Sequence, residues 1–216
     1  MIMDIQQGVF EVFEVPDPIR IKKVARILRN LLSGVKNKKI LELGVVKGGL
    51  ADTFQREGAH CYGVDINPRM LNGVIIKQAD LNEGVPDFGM KFDVVFGGEV
   101  MEHIFDEGKF LDGINACLNR GGYIALTVPN LTFGVNRMRM LFGMTPKFVF
   151  EPYHYHIYTK KVLESLLQNH GFDVKETISS HVLFSTRKNK FGIIFERLGD
   201  IFPTFGAHLI VVAQKR

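Results

Sequence analysis

The strongest constraint on this chain lies in residues 38–65, KKILELGVVKGGLADTFQREGAHCYGVD. A short apolar run over 39–43 has strand character. Gly44, Gly48 and Gly49 cut it off, and glycine tolerates backbone angles and close approaches that other residues do not. Helical spacing follows over 50–57 (Leu50, Ala51, Phe54), with Gly58 placed to stop it. A second strand over 61–64 ends on Asp65. Strand, glycine turn, helix and strand in that order make a parallel βαβ unit. In such a unit the turn opens a helix N-terminus toward ligand, and a carboxylate closing the second strand can accept ribose hydroxyls. The expectation is a nucleoside-cofactor site.

The rest of the chain continues the alternation. An irregular arm is expected over 1–18. A helix over 19–32 then carries Ile21, Val24, Ile27, Leu28 and Leu31 on one stripe. Arg20, Lys22, Lys23, Arg26 and Arg29 fill its other face. That face reads either as the solvated side of a helix packed on the sheet edge or as a surface for peripheral membrane contact or an acidic partner. Asn67-Pro68 opens another helix that Gly73 ends, and strands are expected over 74–77, 92–96 and 123–128. Phe110, Leu111, Ile114 and Leu118 form a helical face, and Thr159 caps a helix carrying Val162, Leu163, Leu166 and Leu167. This alternation predicts an α/β, Rossmann-like, doubly wound sheet with helices on both faces. At 216 residues, without repeats or linker-like stretches, the chain suits a single domain over 1–216. A net charge of +4 without clustering gives no nucleic-acid signature, so no nucleic-acid partner is expected. Cys61 and Cys117 sit in apolar stretches as reduced core residues, and no basic segment followed by an apolar one opens the chain; a cytoplasmic protein is expected.

The turn reads Gly44-Val45-Val46-Lys47-Gly48-Gly49, with valine where the second glycine of a G-x-G-x-x-G dinucleotide fingerprint belongs. Preceded by Glu42, it resembles the E/D-x-G-x-G-x-G turn of class I S-adenosylmethionine-dependent methyltransferases. Val46 departs from that pattern and is expected to crowd the methionine end of a cofactor. Further landmarks follow in order: Phe92-Asp93-Val94-Val95-Phe96, Glu99-Val100-Met101-Glu102-His103, Asn119-Arg120-Gly121-Gly122 and Thr127-Val128-Pro129-Asn130. Together they are similar to one subgroup, the ubiquinone-pathway O-methyltransferases and the methyltransferases of cell-surface polysaccharide clusters. The resemblance covers about residues 38–174. It implies seven strands with the last antiparallel, 172–178 and 208–212 being the closing pair.

The resemblance also implies roles. Glu42, Gly44 and Gly48 would line the methionine portion of S-adenosylmethionine, and Asp65 would hold the ribose hydroxyls. Ile66 would pack on the adenine, Asp80 with Leu81 would meet the adenine edge, and Gly97 to Glu99 would face the sulfonium. The implied reaction is methyl transfer to a small-molecule or glycan acceptor at a hydroxyl oxygen. Positioning supplies much of such a reaction, and a hydroxyl acceptor also needs a base poised near neutrality.

Histidine suits that role. His103 is the first choice, because it follows the fourth strand on the cofactor side. His154 is the alternative, reaching in from the insertion at 131–158, an expected substrate lid. Tyr153 and His156 are expected substrate contacts there; in an extended chain His154 and His156 would share one side and the tyrosines the other. His60, His170, His181 and His208 read as structural. The His-x-His pair lacks a third ligand at suitable local spacing, so no metal is expected. Two other readings stay open: a cofactor-binding or membrane-surface accessory protein without turnover, and an NAD-dependent oxidoreductase. Gly97-Gly98-Glu99-Val100 is not the Asp/Asn-Pro-Pro-aromatic clamp associated with amino methylation of bases.

Overall fold

The computed structural model describes residues 17–182 and 190–216. The chain enters through α1 (Pro18–Leu32), whose first turn is capped by Asp17 accepting from the Ile19 amide at 2.9 Å. The βαβ unit follows as β1 (Lys39–Leu43), α2 (Leu50–Gln55) and β2 (His60–Asp65). Next come β3 (Val74–Gln78), β4 (Phe92–Gly98), α3 (Glu107–Cys117) and β5 (Leu118–Pro129). The chain finishes with α4 (Gly134–Leu141), α5 (Lys160–Asn169), β6 (Phe172–Ser179), α6 (Lys190–Ile201) and β7 (His208–Lys215).

The seven strands form one sheet in the order β3-β2-β1-β4-β5-β7-β6. β7 is the antiparallel strand, pairing with both β5 and β6, as the expected closing pair requires. The strand order reverses between β1 and β4, which are parallel neighbours. The loops after their carboxyl ends therefore diverge and leave the crevice where such sheets bind ligands. Side chains alternate across the sheet with period two. Leu41 and Leu43 of β1 join α3 and α5 in one core, while Ile40 joins α1 and α2 in the other.

Three local expectations are corrected. Residues 67–73 form no helix. Asp65 Oδ1 accepts from the Asn67 amide at 2.8 Å, a side-chain turn that diverts the chain, and a seven-residue stretch bounded by proline and glycine is too short to nucleate one. Leu118 leaves the helical face of α3 and pairs with Phe92 at the start of β5. The basic face of α1 is solvated only in part: Lys22, Arg26 and Arg29 reach the surface, whereas Arg20 and Lys23 are buried. The buried Lys23 ammonium donates to the carbonyls of Ser179 and Glu196 and to Asp200 Oδ1, at 2.7, 2.5 and 2.7 Å, and burial pulls its pKa down. Arg26 reaches the same Asp200, and Arg29 grips Glu57 with two nitrogens, leaving Lys22 to solvent. The irregular arm expected at the N-terminus lies, up to residue 16, outside the described residues. Among the described residues no helix is long and apolar enough to cross a membrane.

Candidate active site

The glycine turn is held from below. Glu42 is 2% exposed, and its two carboxylate oxygens accept from the amides of Leu50 and Ala51 at 3.2 and 2.7 Å, capping α2 from within β1. Burial pushes its pKa up to about 7 against those two donors. A side chain at Gly49 would run into this carboxylate, so the glycine there makes room for the cap. Asp52 Oδ2 accepts from the Gly48 amide at 3.0 Å. Gly44 and Gly48 hold φ of 70° and 82°, and a Cβ on Gly44 would meet Val100 at 2.9 Å, so the turn lies close against the exit of β4. The structure thus puts the Glu42 carboxylate beneath the turn, because the α2 amides need an acceptor there. The amides at the start of α2 that a pyrophosphate would require are already taken by two carboxylates.

Around the crevice, Asp65 stands half-buried at the end of β2, its carboxyl raised by burial. Ile66 beside it is 49% exposed, an apolar surface at the mouth. The Ala79 amide donates to the Asp65 carbonyl at 3.1 Å and ties the exits of β2 and β3 together. Asp80 is exposed and accepts from Asn82, while Leu81 packs toward the core. Asn82 in turn accepts from the Phe105 amide at 2.8 Å, fastening this rim to the segment after β4.

Gly97 is buried in β4, where a Cβ would press on Leu126 at 3.2 Å. Glu99 follows with φ of 56°. Its carboxylate is engaged within the fold. Arg20 of α1 pairs with it at 2.5 Å, Thr127 donates to it at 3.1 Å and His208 stands 3.5 Å away. The carboxylate anchors α1 to the end of β4, because the buried guanidinium requires an opposite charge.

The chemistry-bearing groups gather just beyond. A single 3-10 turn, Met101–His103, presents His103. Its Nδ1 lies 3.0 Å from the carbonyl oxygen of Tyr153. A carbonyl only accepts, so Nδ1 carries the proton and Nε2 of the neutral ring keeps its lone pair. The ring of His154 packs edge-on against it, centroids 4.8 Å apart. Burial first, then the neighbouring His103, holds the His154 pKa below the ordinary value. Glu102 lies beneath the pair, 1% exposed, and one ligating atom each of Glu102, His103 and His154 fall within 4.8 Å of one another. Two imidazoles and a carboxylate at that spacing can move a proton or hold a divalent cation.

The structure therefore brings together the two histidines that the sequence offered as alternatives, with Tyr153 supplying the carbonyl that orients one of them. His154 is already in place; no closure is needed to bring it in. His156 goes elsewhere. Tyr153 has φ of 68°, so the strand-like alternation breaks, and His156 turns to the Phe105 carbonyl at 3.3 Å and Glu107 at 3.6 Å. The amides of Tyr155 and His156 both donate to the Glu102 carbonyl, docking this part of the insertion on the 3-10 turn. Sequence reasoning missed Arg20, Asp52, Glu102 and the buried Tyr158, whose hydroxyl donates to Glu107 at 2.7 Å. Glu102 adjoins His103 in sequence and could have been found on that ground; the partners of Arg20 and Tyr158 are distant in sequence and leave no local signal.

Comparison with known proteins is consistent with this geometry. Residues 19–177 match the family described as methyltransferase domain. A ubiquinone biosynthesis O-methyltransferase of Azorhizobium caulinodans is 31% identical over 121 residues, 50% of this chain and 45% of that protein. The mitochondrial ubiquinone biosynthesis O-methyltransferase of Homo sapiens is 26% identical over 205 residues, 80% of this chain and 53% of that protein. The chain thus spans about half the length of these curated relatives. Among solved structures, magnesium protoporphyrin IX methyltransferase from Synechocystis PCC 6803 with bound SAH superposes with a TM-score of 0.61 at 16% identity. That match covers 92% of this chain and 84% of that one, a likeness of fold.

Proposed function

The chain belongs to the methyltransferase-domain family, and from that premise we propose that it transfers a methyl group from S-adenosylmethionine to a hydroxyl oxygen of a small-molecule or glycan acceptor. The observation that carries this reading is His103, after the end of β4, with Nδ1 tied to the Tyr153 carbonyl so that Nε2 is the acceptor of the neutral ring. The glycine turn supports the cofactor class. Two carboxylates, Glu42 and Asp52, occupy the amides that a pyrophosphate would need. With those amides taken, a cofactor without a pyrophosphate suits the turn, which weighs against the NAD reading.

S-adenosylmethionine, when bound, supplies a methyl group already made electrophilic by its sulfonium. Asp65 at the end of β2 would accept from the ribose hydroxyls, and the exposed face of Ile66 would cover the base. Gly44 and Gly48 leave the turn backbone bare at two positions, with Val46 between them as the side chain the cofactor must pass. His103 Nε2 would take the acceptor hydroxyl's proton as the new O–C bond forms and the S–C bond breaks, and burial, which lowers the His154 pKa, disfavours a second positive charge beside the resulting imidazolium. The test is transfer of labelled methyl from S-adenosylmethionine to a panel of catechols and glycan hydroxyls, with His103→Asn beside the wild type. A loss of about 10²–10⁴-fold in rate at unchanged cofactor affinity is expected of a base; a variant that keeps the wild-type rate contradicts the assignment.

The cluster of Glu102, His103 and His154 favours a second reading of the same site, in which the trio holds a divalent cation that lowers the acceptor's pKa. Stoichiometric zinc or magnesium binding lost in His154→Ala supports it. Turnover indifferent to chelators returns the proton to His103.

A further inference from the structure

Just past the two histidines, residues 155–158 of the insertion are fastened to the segment after β4 by a backbone bond and two side chains. The Tyr155 amide donates to the Glu102 carbonyl at 2.8 Å. The Tyr158 hydroxyl, buried in the core, donates to Glu107 Oε2 at 2.7 Å and lies 3.3 Å from the Met101 carbonyl. Burial first, then the Glu107 carboxylate beside it, pushes the Tyr158 pKa well up, so the phenol stays a donor. The His156 ring makes the remaining contact. A carbonyl only accepts, so His156 Nε2 donates to the Phe105 carbonyl at 3.3 Å, while Nδ1 stands 3.6 Å from the same Glu107 oxygen. Two side chains of the insertion thus share one carboxylate. Glu107 lies in the first turn of α3, and Phe110, Leu111 and Ile114 bury that helix in the core. The shared oxygen therefore sits on a rigid element.

We propose that Glu107 and His156 are positioning residues for the proton transfer, docking residues 155–158 so that the Tyr153 carbonyl stays on Nδ1 of His103. The inference rests on the reading of His103 as the base. Tyr153 holds φ of 68°, a left-handed conformation that a non-glycine residue keeps where its surroundings impose it. Hydrogen bonds on either side impose it here: the His154 amide donates to the Glu151 carbonyl at 3.2 Å, and the Tyr155 amide to Glu102. The second of these depends on the dock. Once it is lost, Tyr153 relaxes toward an ordinary φ and its carbonyl turns away from His103. The consequence is chemical. The Tyr153 carbonyl selects the Nδ1–H tautomer of His103, which leaves the lone pair on Nε2. An unrestrained neutral imidazole in water favours the Nε2–H form instead, with its lone pair on Nδ1. Glu107 and His156 act through Tyr153 and decide which nitrogen of His103 can take the proton.

The tautomer is read without cofactor or acceptor, by nitrogen–proton correlation NMR of the full chain carrying isotope-labelled histidine. The spectrum is taken about two pH units above the ordinary imidazole value, and His103→Asn identifies the signal. Wild type should show Nδ1–H. Glu107→Ala and His156→Ala should each shift His103 to Nε2–H as the major form. Both side chains are partly exposed, 27 and 29%, so the core survives their truncation. His156→Gln should restore Nδ1–H, because its amide can donate to the Phe105 carbonyl. Glu107→Gln should retain it, because its oxygen can accept from Tyr158. Leu167→Ala destabilises the same core without touching the dock and should leave the tautomer as in wild type. An Nε2–H wild type, Nδ1–H persisting in both alanine variants, no rescue by glutamine, or an equal shift in Leu167→Ala overturns the inference. Transfer of labelled methyl then separates the two levels. A shifted tautomer at unchanged turnover removes His103 as base and the positioning role with it, whereas an unshifted tautomer removes the positioning role alone.

Discussion

The imidazole of His103 and that of His154 meet edge to face with centroids 4.8 Å apart, one from the turn after β4 and the other from the insertion after β5. A positive charge on His103 opposes one on His154 at that distance, adding to the effect of burial on His154. The His154 titration followed by NMR should fall below the ordinary value of about 6.5. In His103→Asn it should move part of the way back up, since burial, the larger cause, remains. A midpoint unchanged by His103→Asn would mean that the two rings are not coupled.

Arg20 and Glu99 form a buried pair joining α1 to the end of β4. Removing one partner strands the other charge, so Arg20→Met should cost about 3–5 kcal/mol in denaturant melts. Arg20→Met with Glu99→Gln should recover much of that loss. A double variant that costs the sum of the Arg20→Met and Glu99→Gln single variants would show that the charges do not interact.

Acid should loosen the fold through buried histidines. His208 is held down to about 3 by burial, with Arg20 and His181 adding to the effect. Asp17 opposes it, and the Glu99 charge at 3.5 Å is already answered by Arg20. The folded pKa lies below the unfolded one, so this contribution is complete above pH about 6.5 and is lost as pH falls toward the folded value, at about 1.4 kcal/mol per pH unit. Glu42 acts in the opposite sense: with a folded pKa of about 7, its contribution is present in acid and is lost as pH rises through that value. Stability measured against pH should therefore fall less steeply below pH about 6 in His208→Gln than in wild type. Parallel curves would refute the buried-histidine account.

Asn136 clamps Lys147 with both ends of its amide. Asn136→Ala should cost about 1–3 kcal/mol, because the Lys147 amide loses its partner. Hydrogen exchange should then quicken across residues 138–150 and leave the segment after His154 protected, since that part is bonded to Glu102. Uniform exchange through the whole insertion would show that it moves as one lid.

The sheet was legible because its signals are local. Glycines bracket α2, the apolar runs have strand length, and β6 and β7 fall where the resemblance placed the closing pair. The reading of residues 67–73 failed because a proline start and a glycine stop also describe a turn, and Asp65 decided between them through one side-chain hydrogen bond. The basic face of α1 failed for a different reason: a helical wheel shows which residues share a face, not that Asp200 and Glu99 come to meet them from other elements.

The candidate site was legible residue by residue and not as an arrangement. His103 and His154 were both singled out, but as rivals, because periodicity carries no information on the left-handed Tyr153 that turns His154 inward. Glu42 was identified by motif, but its capping of the free amides of a helix six residues long was not legible from the motif alone.

The most direct test of the account is calorimetric titration of the protein with S-adenosylhomocysteine, for wild type and for Asp65→Ala. The account predicts a single saturable site that the variant weakens by about 1–3 kcal/mol, the cost of leaving ribose hydroxyls without their acceptor, and no comparable heat with NAD. Unchanged affinity in a folded Asp65→Ala, or saturable binding of NAD in place of the nucleoside thioether, would contradict it.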